Sequence, residues 1–150
     1  MTELSNDGFT QGERWLDRRG FNLRAVLDVC AFPRDLAAAW DQTHIPRIPG
    51  QRLVLLGMGG SGLWDWMSTQ DLLEDADPFD VVSRQAALEV AERFWGDPRP
   101  RLLYPGDALI PLQQLGRWAG WSVPSPLGLD VSPIFGPWLA FRAAMLTVAA

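Results

Sequence analysis

The stretch LVLLGMGGSGLWDWM, residues 53–67, passes from a short apolar run through a glycine-rich turn into a tryptophan-rich segment. An apolar run of this length is typical of a central strand that is buried on both faces. Gly57, Gly59 and Gly62 form the pattern G-x-G-x-x-G, which in dinucleotide-binding proteins joins a strand to a helix beside a pyrophosphate. The stretch therefore predicts a strand, a turn and a helix, with glycines that let the backbone pass close to another group.

Two observations weigh against a dinucleotide at this turn. The motif should follow the first strand of its fold, yet residues 21–29 already predict an earlier strand. The acid expected about 20 residues later could only be Asp75 or Asp77, and both lie at a junction between two helical segments. A flavin or nicotinamide oxidoreductase that uses the turn at 57–62 stays open as an alternative.

Outward from this stretch, strands and helices alternate. We predict a loose segment at 1–9 and strands at 52–57, 101–104 and 138–148. Helices are predicted at 11–19, from Pro33 onward, and at 111–119, and Gly20 ends the first of them. The clearest helix covers 78–95, with Asp77 as its cap and Pro78 in its first turn. Its predicted apolar stripe is Val81, Leu88, Ala91 and Trp95, with i,i+4 ion pairs Asp80–Arg84 and Glu89–Arg93. The order predicts an α/β or α+β fold, a mixed sheet flanked by helices in a single domain at 1–150.

Composition excludes several kinds of chemistry. The chain has 150 residues and a net charge of -5, and nucleic-acid binders instead concentrate positive charge on one face. All of its basic side chains are arginines, which excludes a lysine nucleophile or a P-loop lysine. One Cys and one His cannot form an internal disulfide or a Cys/His zinc site. We expect Cys30 to be a small buried hydrophobe and His44 to be a solvated loop residue.

No apolar run reaches the roughly 20 residues of a membrane helix, and the N-terminus lacks a signal pattern. We therefore expect a cytoplasmic protein without nucleic-acid or membrane partners.

The segment WSVPSPLGLDVSPIFGPW, residues 121–138, spaces its Gly, Pro and Trp too irregularly for a helix or strand. We predict a long ordered loop, and such loops are usually functional. Before it, Asp107 could cap the following helix or deliver a proton from an aromatic setting. After it, Arg142 interrupts an apolar strand pattern, so it either faces a ligand or pairs with a buried acid. If 138–146 is a regular strand, Trp138 and Arg142 share one face.

Residues 105–147, PGDALIPLQQLGRWAGWSVPSPLGLDVSPIFGPWLAFRAAMLT, resemble a segment of the epoxyqueuosine reductases. There an Asp precedes a Leu-rich helix that ends in Ala-Gly, a glycine-containing turn and a Gly-x-Trp strand. SPIFGPWLAFR, residues 132–142, is also similar to the His-Pro, Gly-x-Trp and Phe-Ala-x-Arg stretch of the vertebrate cobalamin-processing proteins. Both belong to a group with a nitroreductase-like α+β fold that binds a corrinoid against its sheet.

The resemblance implies a cobalamin cofactor and a set of site residues. Asp107 would donate a proton, and the corrinoid would be bound by Trp138, Phe141, Arg142, Gly128, Leu129, Gly136, Gly59 and Gly60. The family's His-Pro is Ser132-Pro133 here, and the cysteines of the reductases' iron–sulfur domain do not follow in this sequence. We therefore expect no iron–sulfur cluster and no bound metal of the chain's own.

The resulting hypothesis is a cytoplasmic protein that carries cobalamin or processes its upper ligand, with electrons from an external reductase or thiol donor. A flavin cofactor is the alternative noted above. The third possibility is a non-catalytic interaction module whose aromatic face binds a protein or a second copy in a homodimer.

Overall fold

Four strands form one antiparallel sheet, flanked by helices, in a computed structural model that describes residues 6–74, 76–126 and 128–148. The helices are α1 (Asn6–Arg18), α2 (Arg34–Asp41), α3 (Gly62–Thr69), α4 (Pro78–Arg93) and α5 (Leu112–Trp118). The strands are β1 (Leu23–Asp28), β2 (Arg52–Gly59), β3 (Arg101–Tyr104), β4 (Val123–Pro124), β5 (Asp130–Val131) and β6 (Leu139–Thr147). The α+β class is confirmed, as are the strand at 52–57 and the helices ended by Gly20 and begun at Pro78.

The sheet has the order β1-β2-β6-β3, and each of its described pairings is antiparallel. The predicted mixed sheet is therefore wrong in this respect. β2 and β3 run in the same direction, joined by α3 and α4, but β6 lies between them. The alternation of strands and helices did not predict that the last strand would be inserted there.

Residues 53–56 of β2 carry the core, because each is fully buried and successive side chains point to opposite faces. Val54 and Leu56 pack beneath α1, α3 and α4. Leu53 and Leu55 pack beneath α2 and α5. Each such side chain contributes roughly 1.5–3 kcal/mol by burial, so β2 is the central strand that its apolar run predicted.

The predicted apolar stripe of α4 is confirmed at Ala91 and Trp95, which are buried in the core, and is wrong at Leu88. Leu88 is 36% exposed, while the buried positions are mostly small: Val82, Ser83, Ala86, Ala87, Val90 and Ala91. Small side chains let the helix approach the sheet closely, which leaves Leu88 at the margin. The Glu89–Arg93 pair is present at 3.5 Å, whereas Asp80 and Arg84 form no ion pair within the described part of the chain.

Several local predictions are corrected by the structure. Asp77 has a left-handed backbone (φ 51°) and makes no capping hydrogen bond with its side chain. Residues 6–9 belong to α1 instead of a loose segment, and Phe9 stacks on Trp95 at 5.5 Å; residues 1–5 lie outside the described residues. Cys30 is exposed, because the neighbouring Val29 takes the buried position in the short turn after β1. His44 is an exposed loop residue, as predicted.

Candidate ligand-binding site

The glycine turn joins the end of β2 at Gly59 to the start of α3 at Gly62. A Cβ atom at Gly57 would lie 2.7 Å from the ring of Trp121, and one at Gly59 would overlap the ring of Phe135. The prediction that these glycines admit a close approach is confirmed, and the approaching groups belong to the same chain.

The third glycine of the motif serves helix packing. Gly62 lies against Gly20, whose Cα is 3.4 Å from the position of a Cβ at Gly62. Gly20 itself ends α1 with φ +90°, and the N–H of Phe21 donates to the carbonyl of Leu16 across it. This is a Schellman-type helix end, and it brings the end of α1 directly onto the start of α3.

A dinucleotide-binding arrangement does not match this geometry. That fold places its motif after the first strand of a parallel sheet, whereas both neighbours of β2 are antiparallel to it. Asp77 follows a turn before α4 instead of a strand, and Asp75 lies outside the described residues.

The end of β2 is held by a side chain that sequence reasoning missed. The Nδ2 of Asn22 donates to the Gly59 carbonyl at 2.9 Å, and the Gly59 N–H donates to Asn22 Oδ1 at 2.8 Å. The Asn22 amide thus satisfies the N–H and the carbonyl of buried Gly59, which lies past the last residue of β2 that pairs with β1. Nothing in the sequence signalled this role, because Asn22 falls inside the strand predicted at 21–29, whereas β1 begins only at Leu23.

Residues 132–138 form a tight turn beside the glycine turn, hereafter the Trp138 turn. Ser132 and Gly136 exchange backbone hydrogen bonds at 2.7 and 2.8 Å, with Gly136 at φ +58°. The N–H of Gly60 donates to the carbonyl of Trp138 at 2.9 Å. The 121–138 segment contains the small β4–β5 hairpin, so the prediction of a loop is wrong at residues 123–124 and 130–131.

The three most exposed large apolar side chains among the described residues of this segment face solvent. Trp138 is 73% exposed, Ile134 83% and Leu129 64%. Trp138 and Ile134 both belong to the Trp138 turn, so an exposed aromatic surface adjoins Gly60. Contiguous exposed apolar surface marks sites of ligand or partner binding, which makes this turn the candidate site.

The β4–β5 hairpin carries Leu129 and is fastened to α5. Gly128 has φ +77° in its turn, and the N–H of Ser125 donates to the Leu129 carbonyl. Arg117 makes two hydrogen bonds of 2.7 Å to the carboxylate of Asp130. These bonds hold the pKa of the Asp130 carboxyl below its ordinary value, so the hairpin that carries Leu129 is anchored by an ionised pair.

Arg142 occupies a β-bulge in β6. Phe141 pairs with Gly57 and Ala143 with Leu56, which leaves Arg142 without a partner across the strands. Its guanidinium lies 4.8 Å from the ring centre of Phe79, on the α4 side of the sheet. Among the described residues it forms no ion pair, and its buried Nε has no hydrogen-bond partner.

The charge on Arg142 is held in a partly desolvated setting. Burial lowers the pKa of its guanidinium from the ordinary value, and the neighbouring Tyr104 and Asp80 oppose that shift. An arginine stays protonated at neutral pH even so. Arg142 is thus a cation without the buried acid that one of the sequence-based alternatives required.

Phe141 and Arg142 lie on opposite faces of β6. Phe141 stacks on Trp121 at 5.8 Å and packs closely on Gly116, on the α5 side. Trp138 precedes the first residue of the strand. One flat ligand on one face of the sheet therefore cannot contact both Phe141 and Arg142 without rearrangement.

Asp107 lies in the turn that follows β3 and is exposed. The predicted capping role is wrong, because α5 begins at Leu112 and its cap position is Pro111. Four residues separate Asp107 from the first residue of the helix, so its carboxylate is not at the helix end.

No group of three or more Asp, Glu, His or Cys side chains in the described ranges could hold a metal ion. None of the described helices has the length and apolar character needed to cross a membrane. Comparison with known proteins finds no matching family model and no matching curated protein. The function is therefore argued from the site itself.

The close fit of Phe135 on Gly59 gives the first testable prediction. Gly59→Ala should destabilise the fold by about 2 kcal/mol, because the new methyl group displaces the Phe135 ring. In a Phe135→Ala background the same change should cost under about 1 kcal/mol, since the space is then free. Urea unfolding of the two single variants and the double variant measures this coupling. Additive losses would contradict the contact.

Proposed function

We propose that the chain binds a corrinoid at the Trp138 turn, and either carries cobalamin or takes part in processing its upper ligand. The observation that carries the proposal is the exposed indole of Trp138. The backbone carbonyl of Trp138 accepts a hydrogen bond from the N–H of Gly60, which places this residue beside the glycine turn. A large exposed ring on a hydrogen-bonded turn offers a flat apolar contact at little cost in conformational entropy.

The surroundings of Trp138 suit one edge of a planar macrocycle. Ile134 adds exposed apolar surface, and Gly60 and Gly136 have no side chain to obstruct a close approach. Phe135 covers Gly59 from within the turn, so the ligand would rest on the outer side of the turn. Leu129, beside Gly128, is a second exposed apolar contact in the same segment.

Arg142 supplies a donor of the kind that a corrinoid periphery needs. A half-buried guanidinium without an ion pair gains from a carboxamide or carboxylate acceptor. Arg142 lies against Phe79 on the α4 side, and we assign it to the periphery of the ligand. Phe141 stacks on Trp121 on the opposite face, where it supports β6. A role for Asp107 in proton delivery rests on the resemblance alone.

When bound, cobalamin would supply the cobalt-centred chemistry of upper-ligand exchange, with electrons from an external reductase or thiol donor. The described residues would bind and orient the corrinoid and shield one of its edges from water. Neither the carrier role nor the processing role is favoured by a separate observation.

A titration with hydroxocobalamin tests the proposal. We expect a change in the visible spectrum and co-elution of the corrinoid with the protein. Trp138→Ala should weaken binding about tenfold or more, because a stacking ring is lost. Trp118→Ala, which truncates a partly exposed Trp of α5, is the matched control and should bind normally.

Arg142→Met separates the ligand role from a structural one. The variant keeps much of the apolar stem and removes an unpaired cation, so its stability should stay within about 1 kcal/mol of the parent. Its corrinoid affinity should fall. No spectral change at tens of micromolar, a yellow flavin-containing protein, or concentration-dependent self-association without any small ligand would each overturn the proposal.

A further inference from the structure

A cavity lies between α1, α3 and α4, with a volume of about 130 Å³. Trp15 and Trp66 provide aromatic walls, and Val82 is among its apolar lining residues. Arg19, Gln85 and Glu89 supply the polar groups. None of these residues belongs to the Trp138 turn, so the cavity is independent of the proposed corrinoid site.

Arg19 is held in this cavity by rings instead of by an acid. Its guanidinium carbon lies 3.8 Å from the ring centre of Trp15 and 5.1 Å from that of Trp66. It donates one long hydrogen bond, of 3.4 Å, to the carbonyl of Trp15, and it forms no ion pair within the described ranges. The ring contacts fix the guanidinium but leave its charge without an anion.

The electrostatic setting of Arg19 favours an anion. Burial lowers the pKa of Arg19, Glu89 opposes that shift, and the nearby charges of Arg18 and Arg93 lower it further. Glu89 is already engaged with Arg93 at 3.5 Å. Arg18, Arg19, Arg93 and Glu89 therefore form a locally cationic region of the surface, on a chain whose net charge is -5.

We propose that the cavity binds a small monocarboxylate with a flat apolar body, its carboxylate on Arg19. A guanidinium binds a carboxylate through two parallel N–H donors, and the amide of Gln85 can donate as well. The apolar body would lie against the tryptophan walls and Val82. A single negative charge fits better than two, because Arg19 is the one cation among the described lining residues and the carboxylate of Glu89 would repel a dianion.

Benzoate and its neutral isostere benzamide probe this site directly. We expect benzoate, raised to about 20 mM, to shift the indole N–H resonances of Trp15 and Trp66 in a saturable way. Trp15→Phe and Trp66→Phe variants assign those two signals. Benzamide should produce no saturable shift at the same concentration.

Matched variants separate recognition from helix packing. Arg19→Gln should weaken benzoate binding about tenfold or more, whereas Arg14→Gln, which removes an exposed charge from α1, should have little effect. Glu89→Gln should tighten binding about threefold by removing a like charge, a gain that misfolding could not produce.

Three results would overturn the proposal. One is an equal response to benzamide, and a second is equal binding by the Arg19→Gln and Arg14→Gln variants. The third is a larger shift of the same indole signals with inorganic phosphate than with benzoate. If Arg19→Gln unfolds early, the comparison of Glu89→Gln with the parent decides the matter.

Discussion

Gly20→Ala is expected to lower the free energy of unfolding by about 3–5 kcal/mol, or to prevent folding. The backbone of Gly20 has φ +90°, which costs an alanine roughly 1–2 kcal/mol. A Cβ there would also overlap the backbone nitrogen of Leu63 and the carbonyl carbon of Gly62. Backbone atoms of a helix cannot move aside singly, so α3 would have to separate from α1.

Gly50→Ala is the matched control for this prediction. Gly50 has nearly the same backbone angle, φ +87°, with nothing within 4 Å of a Cβ atom. Its substitution should therefore cost only the conformational part, about 1 kcal/mol. Urea unfolding of both variants measures the difference, and equal losses would show that the close contact of α1 with α3 contributes nothing.

Asn22→Ala is expected to lower the free energy of unfolding by about 2–4 kcal/mol. The substitution leaves the N–H and the carbonyl of buried Gly59 without the partners that Asn22 provides at 2.8 and 2.9 Å. The glycine turn should also loosen, because its last strand residue loses both anchors. Amide hydrogen exchange at Gly59 and Gly60 should accelerate more than in the rest of β2.

Ser68→Ala shows whether burial is the cause. The hydroxyl of Ser68 donates to the carbonyl of Trp64 at 2.9 Å on the exposed side of α3. Loss of this exposed bond should change stability by under about 0.5 kcal/mol. If Asn22→Ala were no more destabilising than Ser68→Ala, the paired bonds to Gly59 would not be holding the turn.

Local signals account for the elements that were predicted well. The apolar run of β2 has a length and composition that suit a strand buried on both sides, and Gly20 supplies the positive φ at which α1 ends. Pro78 has no backbone N–H, and the first residue of a helix does not need one. Each of these features depends on residues a few positions apart, so sequence is sufficient for them.

The candidate site was predicted less completely. The pattern at 57–62 indicated a close approach, and Trp138 and Arg142 stood out as an aromatic and a cation in an apolar segment. The bulge at Arg142 could not be foreseen, because it depends on the register between β6 and β2. Asn22 and Phe135 were missed, because their partners are distant in the chain.

The sequence by itself determined where most strands and helices lie, although not the β4–β5 hairpin or the first turn of α1. It also excluded chemistry that needs lysine or several cysteines. Only the tertiary structure decided that all described sheet pairings are antiparallel and that Trp121, Phe135 and Gly20 fill the spaces at Gly57, Gly59 and Gly62. The physical reason is that a missing side chain permits a close approach without specifying what approaches. That choice is made by long-range packing, which here places the chain's own rings where a cofactor was expected.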